Sequence, residues 1–510
     1  MGEQRFMSVK VRALKNVAAT WVALAVHGAV GIVLSPLILH RLGDEAFSLW
    51  ILVFTVTSYF ALLDFGIRSS IVKYTATFTA TDNADHLSRY LSTSLAFYSV
   101  VAVLVVLLTA VGSLYLNVFF KIPSALLGSA RMLFVLSGIG VGLSFPLTVF
   151  TAILEGLQKF SVLQLTQAGM HVVRAALICI ALITGKGLLA IGAIAVISGV
   201  LGYVLLATIT IWAMPVRLSV AHVEITALYK MAGYGVFALL IAMAEKLRFQ
   251  SDAVVIGAFL SASAITGFSI AGKLVEYSGY AVRGMSQVFL PMSSHFHAVG
   301  DLNRLQRTFI AGNRACALII FPICMTLVIM GRSIIEVWVG SRYIASYSVL
   351  VLLLVPRSLY LAQSTSTKIL LGMGRHRTLA SVLLLEGASN LLLSLILVRP
   401  LGLLGVALGT AIPLTCTSIL FLPEHVCRLL RLPLRTFLRR CYGFPLLLCI
   451  PFTCVLWLLG RVFGIHTVGA LMAQFTCGAV VYGAGLGCFL LRRWTRAAPM
   501  QAFSYLMEPE

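Results

Sequence analysis

The chain contains fourteen apolar runs near the length at which a helix crosses a bilayer, about 20 residues. They fall at about 17–39, 47–67, 90–118, 129–154, 161–184, 188–213, 231–256, 264–290, 305–331, 344–371, 378–398, 402–423, 441–460 and 467–491. A soluble fold cannot hide that much apolar surface, so the runs predict an all-α integral membrane protein. Composition agrees: 60% of the 510 residues are hydrophobic and 11% are charged, against roughly 25% charged in ordinary soluble domains. The first run is too long for a signal-peptide core and thirteen more follow it, so no cleavable leader is expected. The ten cysteines form no C-x-x-C pair. Cys179, Cys449, Cys454 and Cys477 lie inside apolar runs, where a thiol behaves as a small hydrophobe, so neither disulfides nor a metal site is expected.

Charge then sets the topology. There are 38 Lys and Arg against 17 Asp and Glu, a formal net charge of +21. In a soluble protein that excess would point to nucleic acid; here its placement decides, because basic residues gather in the cytoplasmic loops of membrane proteins. Arg5, Lys10, Arg12 and Lys15 precede the first run and place the N-terminus inside. With that start, 22 bases fall in inner segments and 8 in outer ones. The asymmetry supports an even number of spans and two cytoplasmic termini in a multi-pass protein, and no nucleic-acid partner is expected. The stretch from His425 to Arg440 fits either a plain topological signal or contact with anionic inner-leaflet lipid.

An internal repeat organises the chain. Residues 151–159, TAILEGLQK, match 367–375, TKILLGMGR, at an offset of 216, and GLLAIGA from Gly187 matches GLLGVAL from Gly402 at an offset of 215. The chain is therefore expected to hold a six-helix lobe over 1–225, a second over 226–425 and a two-helix tail over 426–510. Six being even, the two repeats share one orientation, and the site is expected between them.

Enzyme motifs are lacking. Gly267 to Lys273, GFSIAGK, has the spacing of a phosphate loop, but Leu274 stands where Ser or Thr would bind Mg²⁺ and no soluble strand precedes it. No H-E-x-x-H or paired Cys/His spacing occurs, and no connecting segment exceeds roughly 20 residues, too short for a catalytic domain. A transporter without a cofactor is expected.

Charges inside apolar runs are the informative residues, because an intramembrane charge is expensive unless it faces a cavity or a partner. Eight bases lie in spans: Arg174, Lys246, Arg248, Lys273, Arg283, Arg314, Arg357 and Lys368. Six acids accompany them: Asp64, Glu155, Glu245, Asp252, Glu276 and Glu386. Drawn on continuous helices at about 100° per residue, Glu245, Arg248 and Asp252 share one face with Lys246 off it. Lys273, Glu276, Tyr280 and Arg283 share another, Arg357, Ser364 and Lys368 repeat the pattern, and Asp64 with Arg68 and Glu386 with Asn390 form i, i+4 pairs. One account makes these structural cross-links within the bundle. The other makes them a pathway, and the excess of cations then suits an anionic, phosphate-bearing substrate. On the second account Arg68, Arg174, Arg248, Lys273, Arg283, Arg357 and Lys368 bind substrate. Asp64, Glu245, Asp252, Glu276, Glu386 and His27 exchange the coupling ion or proton, although His27 also fits a packed, hydrogen-bonded core histidine. Pro36, Pro146, Pro356 and Pro413 interrupt spans and are candidate hinges.

Four stretches carry a family resemblance: RLGDEAFSLW at 41–50, LLDFGIRSSIVKY at 62–74, ILEGLQKF at 153–160 and DAVVIGAFLSASAITGFSIAGKL at 252–274. The chain resembles the Wzx-type polysaccharide flippases, of the superfamily that includes multidrug and toxin exporters and lipid II flippases. It departs from that pattern at Ser48, where Gly is usual, and at Phe268, where Tyr is frequent. The resemblance implies a fourteen-helix, two-lobe, V-shaped transporter in the bacterial inner membrane. It implies as substrate an oligosaccharide on undecaprenyl diphosphate, moved outward for O-antigen, capsule or exopolysaccharide assembly beside a polymerase and glycosyltransferases. Asp64 and Asp252 lie in the family-like stretches. Two rivals remain: a cation-coupled drug exporter of the same fold, and a membrane polysaccharide polymerase or ligase, for which the outer loops are short.

Overall fold

A bilayer core offers no hydrogen-bond partner to an open peptide group, so a chain this apolar satisfies its backbone within helices. The computed structural model describes residues 2–81, 83–213, 218–463 and 467–494, and among these it contains helices and turns but no strand. The chain divides into two units, Met1–Thr266 and Gly267–Glu510.

In the first unit α1 (Gly2–Ser58) is interrupted at Gly43, with φ 80° and ψ 173°, and passes through a 3-10 turn, Tyr59–Asp64, into α2 (Ile67–Ala80). There follow α3 (Ala84–Leu114), the single turn α4 (Leu116–Phe119), α5 (Ser124–Gly156), α6 (Phe160–Ile183), α7 (Leu188–Ala213), α8 (Ile225–Phe249) and α9 (Ser251–Phe259). Helix α5 packs between α3 and α7, α6 lies along α1, and α8 packs on α2 and α3. The second unit is reached through α10 (Ala262–Ser278). It comprises α11 (Tyr280–Ser286), α12 (Phe289–Ala298), α13 (Leu302–Val339), α14 (Ser346–Ala362), α15 (Ser364–Gly372), α16 (His376–Cys416), α17 (Leu422–Leu429), α18 (Leu434–Leu438), α19 (Phe444–Phe463) and α20 (Val468–Trp494). Helix α13 packs against α14 and α19, and α19 against α20.

Among the described residues ten helices are long and apolar enough to cross a membrane, eleven when the bent pair α14 and α15 counts as one. The difference from fourteen runs has a structural origin. Ala18–Asp64 and His376–Leu429 each contain two of the expected runs. Within α16 the chain turns at Gly402 (φ 59°) and folds back, because Thr410 reaches Asn390 and Ser394 reaches Val406. The run at 264–290 is divided between α10 and α11, each shorter than a span. The candidate hinge prolines do not interrupt their helices: Pro36, Pro146, Pro356 and Pro413 all sit inside helical segments. Proline removes one donor, and a helix end or a bend can absorb that loss; the breaks fall elsewhere.

Helix α3 shows how the bilayer inverts ordinary packing. Val100, Val103, Leu107, Val111 and Leu114 are exposed along one stripe, while Tyr98, Val101, Val105 and Thr109 are buried. Lipid is as apolar as leucine, so helix association rests on close fit and polar contacts. Gly138 and Gly142 of α5 supply the fit, since a Cβ on either would press on Thr109 or on the Ala102 carbonyl of α3.

The sequence repeat is also a repeat of structure. At the end of α5, Leu157 N–H donates to Ile153 O and Lys159 N–H to Leu154 O, with Gln158 at φ 58°. At the end of α15, Met373 N–H donates to Ile369 O and Arg375 N–H to Leu370 O, with Gly374 at φ 71°. Both ends rest on an equivalent helix: a Cβ at Gly156 would stand 2.7 Å from Thr75 Cβ on α2, and one at Gly372 2.8 Å from Ser293 Cβ on α12. The next helices start alike, Asn83 capping His86 N–H and Asp301 capping Arg304 N–H.

Helix α2 starts from Phe65 (φ 49°) and Gly66 (φ 75°), two consecutive left-handed residues. Gly66 lies backbone to backbone against Gly235 of α8, leaving no room for a side chain on either. Gly66→Ala and Gly235→Ala are each expected to destabilise by about 2 kcal/mol or more through overlap, with strain at Gly66 adding to it. Gly169→Ala on α6, where an added methyl meets nothing within 4 Å, is expected to stabilise by up to about 1 kcal/mol. Thermal unfolding in one detergent orders the three, and equal midpoints for Gly66→Ala and Gly169→Ala would refute the close crossing.

Candidate functional site

The double left-handed turn ends one helix and starts another inside an apolar segment, which turns the last residue before it, Asp64, toward neighbouring helices. Its Oδ1 accepts the phenolic hydroxyl of Tyr98 on α3 and the backbone N–H of Arg68 at 3.2 Å. Arg68 sends its guanidinium the other way. Nη2 donates to Glu155 Oε1 at 2.7 Å and Nη1 to Thr151 Oγ1 at 2.8 Å, both on α5. Asp64 and Arg68 thus share a backbone contact, while each side chain has a partner far along the chain. The Arg68 and Glu155 side chains are 33% and 24% exposed, so the pair is part-solvated and holds open a cavity of about 470 Å³ lined by Asp64, Arg68, Ser69, Glu155 and Tyr234. One turn on, Lys73 Nζ stands 4.0 Å from the centroid of the Tyr234 ring. The lining contains two carboxylates and one guanidinium, so this cavity has no cationic excess of its own.

Two more helix breaks gather expected residues and separate others. At Gln250 (φ −125°, ψ −16°) α8 gives way to α9, so Glu245, Arg248 and Asp252 do not lie on one continuous helix. Arg248 and Asp252 are buried and Glu245 is exposed, and the break leaves Glu245 and Arg248 on α8 and Asp252 on α9. Gln250 Oε1 instead accepts Lys246 Nζ at 2.8 Å and Ser58 Oγ at 2.5 Å, so Lys246, placed off the face, joins the polar cluster. The Arg248 guanidinium lies 4.7 Å from the centroid of the Phe249 ring.

In the second unit the break at Gly279 separates α10 from α11. Arg283 Nη2 donates to the Glu276 backbone carbonyl at 3.1 Å, and its guanidinium lies 4.7 Å from the Tyr280 centroid. The Glu276 carboxylate accepts the Tyr280 hydroxyl at 3.1 Å. Lys273 is part-buried within α10, where the whole of GFSIAGK is helical, so that stretch forms no phosphate loop. Helices α14 and α15 meet at Gln363 with a bend of 43°, which again parts Arg357 from Ser364 and Lys368. Arg357 lies 5.4 Å from the Tyr360 centroid, and Lys368 is part-buried. Glu386 and Asn390 are buried on α16, where Asn390 Oδ1 accepts Ser394 Oγ at 3.1 Å and Thr410 Oγ1 at 3.4 Å. Arg174 and His27 come together around His171 on α6, apart from the Asp64 cavity.

Tyr98, Thr151, Tyr234 and His171 are site residues that helical-face reasoning passed over. Tyr98 had a signal, as the lone titratable side chain between Leu95 and Leu114. Glu155 had another, since it lies inside the repeated segment. The Arg68–Glu155 pair is expected to show a coupling of about 1 kcal/mol in a double-mutant cycle of Arg68→Met and Glu155→Gln. Tyr98→Phe, which strips Asp64 of its phenolic donor, is expected to cost about 1–3 kcal/mol. Thermal unfolding reads both, and zero coupling with an unchanged Tyr98→Phe midpoint would remove both contacts from the description.

Comparison with known proteins places this architecture. The chain is 23% identical over 448 residues to the uncharacterized membrane protein EpsK of Bacillus subtilis (strain 168), covering 84% of this chain and 86% of that one. Its fold is similar to that of the lipid II flippase MurJ in an inward closed conformation, with a TM-score of 0.72 and 15% identity over 94% of this chain and 99% of that chain. It is also similar to an inward-facing multidrug resistance transporter of the MATE family and MOP superfamily, with a TM-score of 0.67 and 14% identity over 82% and 99%. Residues 38–348 match the family described as polysaccharide biosynthesis protein. This multi-pass membrane protein, with a MurJ- and MATE-like fold, therefore belongs to that polysaccharide biosynthesis family.

Proposed function

We propose that the protein moves an undecaprenyl-diphosphate-linked oligosaccharide from the inner to the outer leaflet of the bacterial inner membrane, by alternating access, for O-antigen, capsule or exopolysaccharide assembly. The supporting observation is the set of part-buried bases in the second unit of a polysaccharide-biosynthesis family member. Lys273, Arg283, Arg357 and Lys368 lie on α10, α11, α14 and α15, and α11 packs on both α14 and α15. A diphosphate offers charge and paired oxygens that guanidinium forks bind in bidentate fashion. Arg283 and Arg357 lie against tyrosine rings, which limits their rotamers without neutralising them. The prenyl chain needs no polar group and stays in hydrocarbon. Proton or cation exchange at Asp64 and Glu276 resets the cycle, since each is held by a tyrosine hydroxyl that serves either protonation state. A polymerase and glycosyltransferases would act on either side of this step.

A second reading, a cation-coupled drug exporter, draws on the first unit, where two carboxylates against one guanidinium suit a cation. Leaflet transfer of a labelled undecaprenyl-diphosphate oligosaccharide in proteoliposomes separates the two. Wild type is expected to transfer the lipid, faster under a pH gradient of one sign. Arg283→Ala is expected to slow transfer roughly 10- to 150-fold, the loss of one charge-assisted contact of roughly 1.5–3 kcal/mol. Movement of a cationic dye without movement of the lipid would overturn the flippase reading in favour of the exporter.

A further inference from the structure

Helix α6 carries its lipid-facing stripe on Leu165, Val172, Val173, Leu177, Ile180 and Ile183, all exposed. His171 and Arg174 stand off that stripe, part-buried, near the middle of the span. The His27 ring of α1 meets His171 edge-on, with centroids 4.8 Å apart and planes at 79°. Arg174 Nη2 is hydrogen-bonded to His171 Nδ1. A guanidinium can only donate, so Nδ1 carries the lone pair and His171 is the neutral tautomer protonated at Nε2. Beside them is a cavity of about 290 Å³, lined on α6 by Gln167, His171 and Arg174 and on α7 by Ser198 and Tyr203. Gly199 helps keep it open, because a Cβ there would meet nothing within 4 Å.

What this cavity lacks is an acid. None of its lining residues is Asp or Glu. His171 takes one of five guanidinium donors. A mid-span arginine beside a neutral imidazole, facing amide and hydroxyl groups, is a cation awaiting a counter-ion.

We propose that the first unit contains an internal site for a small oxyanion of the phosphate type, built by Arg174, His171 and His27 and loaded together with a proton. A cavity of about 290 Å³ has room for a phosphoryl or diphosphoryl group. Arg174 supplies the fork, with Gln167, Ser198 and Tyr203 available to the remaining oxygens. An anion on Arg174 makes protonation of His171 at Nδ1 favourable: the new N–H faces the anion, where before it would have faced the guanidinium. By reciprocity, a proton on His171 tightens the anion.

The neighbours of His171 on every packed element are few. On α1 the other described titratable groups, Lys15, His40, Arg41, Asp44 and Glu45, lie about 18 Å or more along the helix from His27. Tyr203 is the one titratable residue of α7. On α5, Arg131 donates to Leu114 O and Asn117 Oδ1, and Glu155 is taken by Arg68. The proton linkage therefore rests on His171 and His27. Arg174 is among the bases first expected to bind substrate, but this site is separate from Lys273, Arg283, Arg357 and Lys368 and does not depend on their role.

Calorimetric titration of the purified full chain with sulfate, whose charge is constant between pH 5 and 8, tests the site, with pyrophosphate and undecaprenyl phosphate in nanodiscs as further arms. Sulfate is expected to bind one site, its affinity rising by up to about tenfold per pH unit on acidification, the limit for one linked proton. Arg174→Gln is expected to weaken it about tenfold or more, His171→Gln to reduce the pH dependence, and His171→Gln with His27→Gln to abolish it, alkaline binding staying in place. Arg174→Lys, which keeps the charge and loses the fork, replaces Arg174→Gln if that variant does not accumulate, and is expected to bind more weakly than wild type. Saturation by pyrophosphate alone identifies a soluble anion, and saturation by the lipid alone identifies a headgroup. Absence of saturable binding of every probe, or sulfate binding unchanged by Arg174 substitution and lost in Arg283→Ala, overturns the proposal.

Discussion

The obligation to satisfy every peptide group inside hydrocarbon governs this molecule more than any single contact. A continuous helix meets it automatically, so a break in a span is affordable only where other groups take up the freed donors and acceptors. At the α1–α2 break Phe65 N–H returns to Leu62 O, and Gly66 O receives both the N–H and the hydroxyl of Ser69. At the α10–α11 break Glu276 O accepts Gly279 N–H and the Arg283 guanidinium. At the α14–α15 break Gln363 N–H returns to Tyr360 O, its carbonyl accepts Ser366 N–H, and its side-chain amide donates to Ser418 O. The polar and charged side chains of the spans cluster at these places because the breaks already require them.

That coupling explains which parts of the structure were legible in the sequence. The apolar runs and the offset repeat follow from composition and local turn chemistry, and the repeat holds down to individual hydrogen bonds at Lys159 and Arg375. The side-chain faces did not follow, because a face drawn at constant rotation assumes an unbroken helix. Gln250 and Gln363 carry none of the usual signals of interruption, yet each ends a helix, and the break at Gln250 leaves Glu245 and Arg248 on α8 and Asp252 on α9. Prolines carry the strongest signal of all and remained inside helices. The i, i+4 spacing of Asp64 and Arg68 was visible, but their side-chain partners, Tyr98 and Glu155, lie 34 and 87 residues away, a distance that only packing can supply.

The two units distribute charge differently, which bears on why buried ions are retained. An ion pair brought out of water is roughly break-even for stability, and its removal in halves is what costs. Arg68 with Glu155 is such a pair, part-solvated and bonded also to Thr151. Arg283 and Arg357 make contacts of another kind: both lean on tyrosine faces, and Arg283 donates to a backbone carbonyl, contacts that position a cation. The first arrangement is suited to being opened and remade, the second to holding an anion.

Under the proposed function this contrast yields an order of events at Arg68. Arg68 could meet an anion only after its pair with Glu155 opens, because Nη2 is committed to Glu155 Oε1 and Nη1 to Thr151 Oγ1. Asp64 is anchored independently, through Tyr98 and the Arg68 backbone N–H rather than the Arg68 side chain, so the turn at Phe65–Gly66 keeps its geometry while the guanidinium changes partner. The close crossing of Gly66 with Gly235 fixes that turn against α8.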